Sequence, residues 1–147
     1  MNEGTLPVIA LATPLAMLAA CLSKWARERM PSLLVLAPLP AFAAALLVAD
    51  GAGVVLPPSL LELTFVLDTP GAMLLAAGAL LWATAGAYAG FYLRNKPNRG
   101  RFAVWWLMTL AGNIGTFLVA DLPGFYLFFS VASLAAYGLV VFDETPD

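Results

Sequence analysis

The chain has 147 residues, of which 62% are hydrophobic and 11% charged, with nine acidic and seven basic residues and a net charge of −2. Water-soluble domains are about half apolar and about a quarter charged, so an ordinary soluble domain is excluded, and nothing in the charge balance calls for a nucleic-acid partner. With no histidine and one cysteine, Cys21, in an apolar run, there is no protein-built zinc site, no disulfide framework and no Cys/His nucleophilic pair, and no cofactor is implied.

At about 20 apolar residues per crossing, the pattern predicts a single all-α domain, a polytopic membrane helix bundle of about five transmembrane helices over residues 1–147. The first stretch, 6–22, follows Glu3 and precedes the basic cluster Lys24, Arg27 and Arg29. A signal peptide carries its positive charge before the apolar core, so this order predicts a retained helix with its N-terminus outside. The second stretch, 32–49, contains Pro38 and Pro40, which remove backbone donors and should kink or loosen it.

Residues 50–69 read as an extracytoplasmic loop broken by Gly51, Gly53, Pro57 and Pro58. Within it Leu61, Leu63, Phe65 and Leu67 alternate with Glu62, Thr64, Val66 and Asp68, which fits either a short extended segment against the bundle or an irregular loop. The third span, 70–93, opens on Pro70 and closes on the basic run RNKPNRGR. The fourth, 102–120, and fifth, 122–142, join at a turn around Asp121 with Pro123 at the start of the last helix, and the polar residues DETPD follow. No internal repeat stands out.

All seven basic residues fall in the segments after spans one and three, while Glu3, Asp50, Glu62, Asp68 and Asp121 fall on the other side. The positive-inside rule then places the C-terminus in the cytoplasm and the protein, multi-pass, in the cytoplasmic (inner) membrane. No Asp, Glu, Lys, Arg or His lies inside a predicted span. Such groups at membrane depth mark ion paths, so this chain by itself lacks the usual equipment for moving protons.

The spans instead carry neutral polar stripes at helical spacing: Thr84 and Tyr88; Thr109, Asn113 and Thr116; Ser130, Ser133 and Tyr137. Interhelical hydrogen bonding is the expected role, at roughly 0.6 kcal/mol per contact, and the lining of a hydrated half-channel the competing one. Gly86 and Gly90 form GxxxG, and Gly112 with Gly115 flanks Asn113, so both helices admit a close neighbour. Trp25, Trp105 and Trp106 are expected at headgroup level and Trp82 in packing or against lipid.

From Leu63 onward the run VLDTPGAMLLAAGALLWATAGAYA, the basic loop, and AGNIGTFLVADLPGFYLFFSVASLAAYGLVV resemble the N-terminal part of the antiporter-like membrane subunits of complex I, Mrp-type sodium/proton antiporters and membrane-bound hydrogenases. Asp68 matches the "LD" before that family's third helix, and Asp121 through Tyr137 match its D-L-x-x-F-x-x-F-F-E run and later Ser/Ala-Tyr. The resemblance covers a little over half of the chain and implies a related bundle. It departs at Ser130, where the family has its ion-pathway glutamate, and this chain ends after about five of the family's roughly fourteen helices, before the partner lysine.

The resulting expectation is a small subunit that does not conduct ions by itself and packs in the bilayer against larger antiporter-like subunits of a proton- or sodium-translocating complex. Asn113, Thr116, Ser130, Ser133 and Tyr137 would then face a partner or complete a path whose titrating groups lie on another chain. The alternative is a self-contained homo-oligomeric channel or carrier. A membrane enzyme finds no support, because the hydroxyls have no base in reach and no metal ligands cluster. The basic loops could also dock anionic lipid or an acidic partner, beyond their part in topology.

Overall fold

A computed structural model describes residues 5–48, 54–55 and 63–142. The chain forms α1 (Thr5–Ala20), α2 (Lys24–Arg29), 3-10 turns at Met30–Ser32 and Leu34–Leu36, α3 (Leu39–Val48), α4 (Thr69–Tyr92), α5 (Arg99–Leu118) and α6 (Leu122–Val140). Between α3 and α4, β1 (Val54–Val55) pairs antiparallel with β2 (Val66–Leu67), Val54 opposite Leu67 and Val55 opposite Val66. Glu3, the rest of the 50–62 segment and the terminal DETPD lie outside the described residues.

Among the described residues, α4 and α6 are long and apolar enough to cross a membrane, and a third crossing results if α1 and Lys24–Ser32, bent by 115°, form one broken span. Length and composition therefore give two or three candidate crossings, where the sequence pattern leads one to expect five. The physical reasons differ from helix to helix. At 1.5 Å per residue, α1 with 16 residues and α3 with 10 reach only about 24 and 15 Å of a core about 30 Å thick.

Helix α5 has the length, at 20 residues, but carries Arg99, Arg101, Thr109, Asn113 and Thr116. It is also the helix most enclosed by its neighbours, burying Ala103, Trp106, Leu107, Leu110, Ile114 and Leu118 among others. A helix shielded by protein need not match the hydropathy of one facing lipid. Around α5 pack α6 most extensively, then α1, α2 and α4, while α3 lies against α4 and α1. Leu34, Leu67, Leu75, Leu93, Leu107, Leu110 and Leu118 fill the centre.

The stretch 32–49 is not one helix. Pro31, Pro38 and Pro40 lack backbone donors, so none of these positions can bond the carbonyl four residues earlier. The chain answers with i→i−3 bonds, Leu33 N to Met30 O at 2.8 Å, Leu36 N to Leu33 O at 2.9 Å and Ala37 N to Leu34 O at 3.2 Å, and turns α-helical only from Leu39. This tight backbone lies against the GxxxG face of α4. A Cβ on Gly86 would stand 3.0 Å from the Leu34 carbonyl carbon and the Val35 nitrogen, and one on Gly90 3.2 Å from the Pro31 oxygen. GxxxG here admits 3-10 backbone, not another α-helix.

Trp106 departs from its expected interfacial place: it is 3% exposed and meets Trp82 edge to face, with ring centroids 4.9 Å apart. Trp25 is exposed. At the α5/α6 contact a Cβ on Gly112 would come within 2.7 Å of the Ala132 nitrogen and 2.9 Å of its Cα, so the two backbones touch with no room for a side chain. In lipid there is little hydrophobic drive between helices, and this close dispersion contact takes its place. We expect Gly112→Leu to destabilise the purified protein by about 1–3 kcal/mol or more, read as a lowered unfolding temperature in detergent. Gly78→Ala, whose Cβ meets Phe117 at an ordinary 3.5 Å, should leave that temperature unchanged or slightly raised.

Candidate functional site

Two of the residues singled out in the sequence are helix caps. Asp68 is the N-cap of α4, where its Oδ1 accepts from Gly71 N at 2.8 Å, and Asp121 is the N-cap of α6, where its Oδ1 accepts from Gly124 N at 2.7 Å. Each carboxylate satisfies a donor that the first helical turn leaves without a partner and lies at the positive end of the helix dipole. Both helices begin with the same tetrapeptide arrangement, Asp68-Thr69-Pro70-Gly71 and Asp121-Leu122-Pro123-Gly124. This short repeat escapes a search for long-period repeats, yet it is legible as a capping signature: acceptor at the cap, proline where no N–H is needed, and a glycine amide to receive the bond.

Asp121 does more than cap. Its Oδ2 accepts from Thr64 N at 2.8 Å, while Ala120 N donates to Thr64 O at 2.7 Å, so the loop before α4 is tied to the α5–α6 turn through both the amide and the carbonyl of one residue. Phe65 continues the attachment through a bridge to Val119 and an edge-on contact with the Phe128 ring at 6.1 Å. Leu63 and Leu67 are buried, Thr64 is exposed and Phe65 and Val66 are both half-buried, so the period-two pattern is realised in part, as extended chain at Phe65–Leu67, while Leu61 and Glu62 lie outside the described residues.

The neutral polar residues do not converge. Thr84, Thr109 and Thr116 donate to Leu81 O, Trp105 O and Gly112 O, each at 2.8 Å. Their hydroxyls therefore bond back along their own helices, and not across helices as expected, because a threonine hydroxyl within a helix reaches a carbonyl one turn earlier without needing a neighbour. Asn113 is half-buried on α5. Ser130, Ser133 and Tyr137 lie on the exposed side of α6, while Gly124, Ala135 and Gly138 are the buried residues of that helix. Tyr126, also exposed, continues the same stripe. Among the described residues none bonds the Asn113 amide, the two serine hydroxyls or the Tyr137 phenol.

At the opposite end of α4 from Asp68, the two basic segments meet. Arg27, Arg94, Lys96, Arg99 and Arg101 line one cleft of about 780 Å³ together with Glu28, and a Cβ on Gly100 would meet Arg27 Cγ at 2.8 Å. The bundle is thus polarised, with aspartate caps at one end and basic residues at the other. Among the described residues no cluster of His, Cys, Asp and Glu could hold a metal ion, and Cys21 is buried and free.

The two caps differ in a measurable way. Asp68→Ala removes one capping bond and should lower unfolding free energy by about 1 kcal/mol. Asp121→Ala also strips the Thr64 amide of a charged acceptor and should cost about 2–4 kcal/mol. Denaturant unfolding of the two variants in detergent checks this, and equal losses would contradict the role given to Asp121.

No family model matches the chain, and no solved structure matches it either. The chain is 36% identical over 88 residues to NADH-quinone oxidoreductase subunit N of Desulforudis audaxviator (strain MP104C), an overlap covering 58% of this chain. The chain spans 17% of that protein's length. This partial likeness supports kinship with the antiporter-like membrane subunits of complex I, over a segment and not over a whole subunit.

Proposed function

We propose that the chain is a small antiporter-like membrane subunit of a proton- or sodium-translocating complex, packing against larger subunits and not conducting ions by itself. It is multi-pass in the cytoplasmic membrane, with the basic cleft on the cytoplasmic face, the N-terminus outside and the C-terminus inside. All five predicted spans contribute, α1 and α3 as short or broken crossings and α5 as the protein-shielded centre.

The observation that carries this reading is the outward polar stripe of α6. Ser130 and Ser133 lie eight and eleven residues beyond Leu122. At 1.5 Å per residue that is about 12 and 17 Å along a core about 30 Å thick, close to its middle. A hydroxyl facing hydrocarbon there has no water to bond, which is costly, and a polar helix of a partner removes that cost. The half-buried Asn113 amide, with no bond among the described residues, makes the same demand from α5.

The resemblance adds direction. Ser130 stands where the family has its ion-pathway glutamate, so this chain presents the family's ion-path face without the carboxylate. Any titrating group opposite Ser130 would belong to another chain. The matched relative is by name a subunit of an NADH-quinone oxidoreductase, which favours a redox-linked complex as the setting.

Two outcomes test the proposal. Tagged chain purified in mild detergent from its native membranes should bring down large multi-helix subunits in fixed ratio, seen by native mass. Recovery alone or as a homo-oligomer would overturn it and favour the self-contained channel. For topology, in a Cys21→Ala background, Thr64→Cys should react with an impermeant maleimide in intact cells, and Asn95→Cys only after the membrane is opened.

A further inference from the structure

A second cleft, of about 520 Å³, opens between the 3-10 backbone and the C-terminal half of α4, and its lining changes character along its length. Its inner part is apolar, formed by Val35, Gly86, Ala87 and Phe91, and its outer part carries Arg94 and Arg99, with Glu28 opposite in charge. Arg94, Arg99 and Glu28 are shared with the larger basic cleft, which adds Arg27, Lys96 and Arg101. The two spaces form one groove, apolar at one end and carrying an excess of positive charge at the other.

The void exists because of the proline-broken second stretch. The 3-10 turns lie directly on the glycines of α4, as the Gly86 and Gly90 approaches show, and beyond them Phe91 stands 82% exposed at the surface. Arg99 is anchored by its Nη1 donating to the Arg94 backbone oxygen at 3.3 Å, which holds its guanidinium at the rim from which the Arg94 side chain also departs. Among the described residues no carboxylate pairs with either arginine. From Gly86 to Tyr92, the last residue of α4, is six residues, about 9 Å at 1.5 Å per residue, and Arg94 follows in the turn beyond, so the apolar wall leads directly to the basic rim.

The aromatic residues around this end fix its depth. Tyr88 and Tyr92 stack on the exposed side of α4 at 5.9 Å, Lys96 approaches the Tyr92 ring at 5.9 Å, and Arg29 lies over exposed Trp25 at 4.2 Å. Exposed Tyr and Trp beside basic side chains are the signature of the headgroup layer. A basic pocket at that level next to an apolar wall is the arrangement that receives an anionic lipid headgroup.

We infer that this groove is a binding site for an anionic phospholipid, its phosphate held by Arg94 and Arg99 and one acyl chain lying along Val35, Ala87 and Phe91. The inference rests on the membrane placement proposed above but not on any partner subunit, so failed copurification leaves it standing. Guanidinium forks bind phosphate oxygens bidentately, and the apolar wall distinguishes a lipid from a free anion.

The test uses the full chain, delipidated in detergent and titrated with phosphatidylglycerol, phosphatidylcholine or inorganic phosphate, with adducts counted by native mass spectrometry and thermal stabilisation read in parallel. Phosphatidylglycerol should form a discrete adduct and raise the unfolding temperature, while phosphatidylcholine and phosphate should do neither. Arg94→Gln/Arg99→Gln should weaken phosphatidylglycerol at least about tenfold, and Arg94→Lys/Arg99→Lys should bind between that variant and the unaltered chain, because lysine keeps the charge and loses the bidentate fork. Equal binding of the two lipids by the unaltered chain would overturn the proposal without reference to any variant. Stabilisation by phosphate alone would overturn it in favour of a free-anion site, and stabilisation by an acidic peptide but not by lipid would make the groove a protein contact.

Discussion

In hydrocarbon a polar group has no water to turn to, and the fold is organised around that constraint. Backbone donors freed at the starts of α4 and α6 are taken by Asp68 and Asp121. The threonines of α4 and α5 turn back on their own carbonyls. The proline-rich second stretch, unable to run as a continuous α-helix, keeps i→i−3 bonds and shelters against the glycine face of α4. Among the described residues, the Asn113 amide and the Ser130, Ser133 and Tyr137 hydroxyls have no hydrogen-bond partner, and these are the positions where the proposed partner would lie.

Charge follows the same division. The caps and the extended chain at Phe65–Leu67 close one end, with Asp121 joining loop to helix pair, and arginines from two distant segments gather at the other. Between them the helices hold together by small-residue contacts such as Gly112 on Ala132, which suit a membrane interior because they rely on dispersion and not on the exclusion of water. The bundle's polar residues are neutral at depth and charged only at the ends, which is the arrangement the proposed accessory role calls for.

The helices are legible in the sequence wherever a long apolar run ends at a cap or a basic turn, as α4 and α6 do. Part of the alternation before α4 is legible too, because Leu63 and Leu67 are buried and Thr64 between them is exposed. Three features lie beyond a local reading. The tie from Asp121 to Thr64 joins residues 57 apart, and no local pattern announces it. Trp106 looks interfacial by position, yet α5 is central and carries it into contact with Trp82. GxxxG at Gly86 and Gly90 signals close approach but not of what, and the partner proves to be irregular backbone whose shape follows from three prolines. The candidate site was legible as a set of polar positions. Its division between threonines that bond back on their own helices and an outward serine stripe required the packing.

The central claim is that another protein covers the outward face of α6. The most direct measurement places a photoreactive amino acid at Ser133, on that face, and a control at Ala135, which is buried, and irradiates native membranes. The account predicts that the probe at position 133 joins the chain to one larger multi-helix protein, whereas the probe at position 135 yields only intramolecular products. Adducts from position 133 with lipid alone, or with a second copy of this chain, would contradict it.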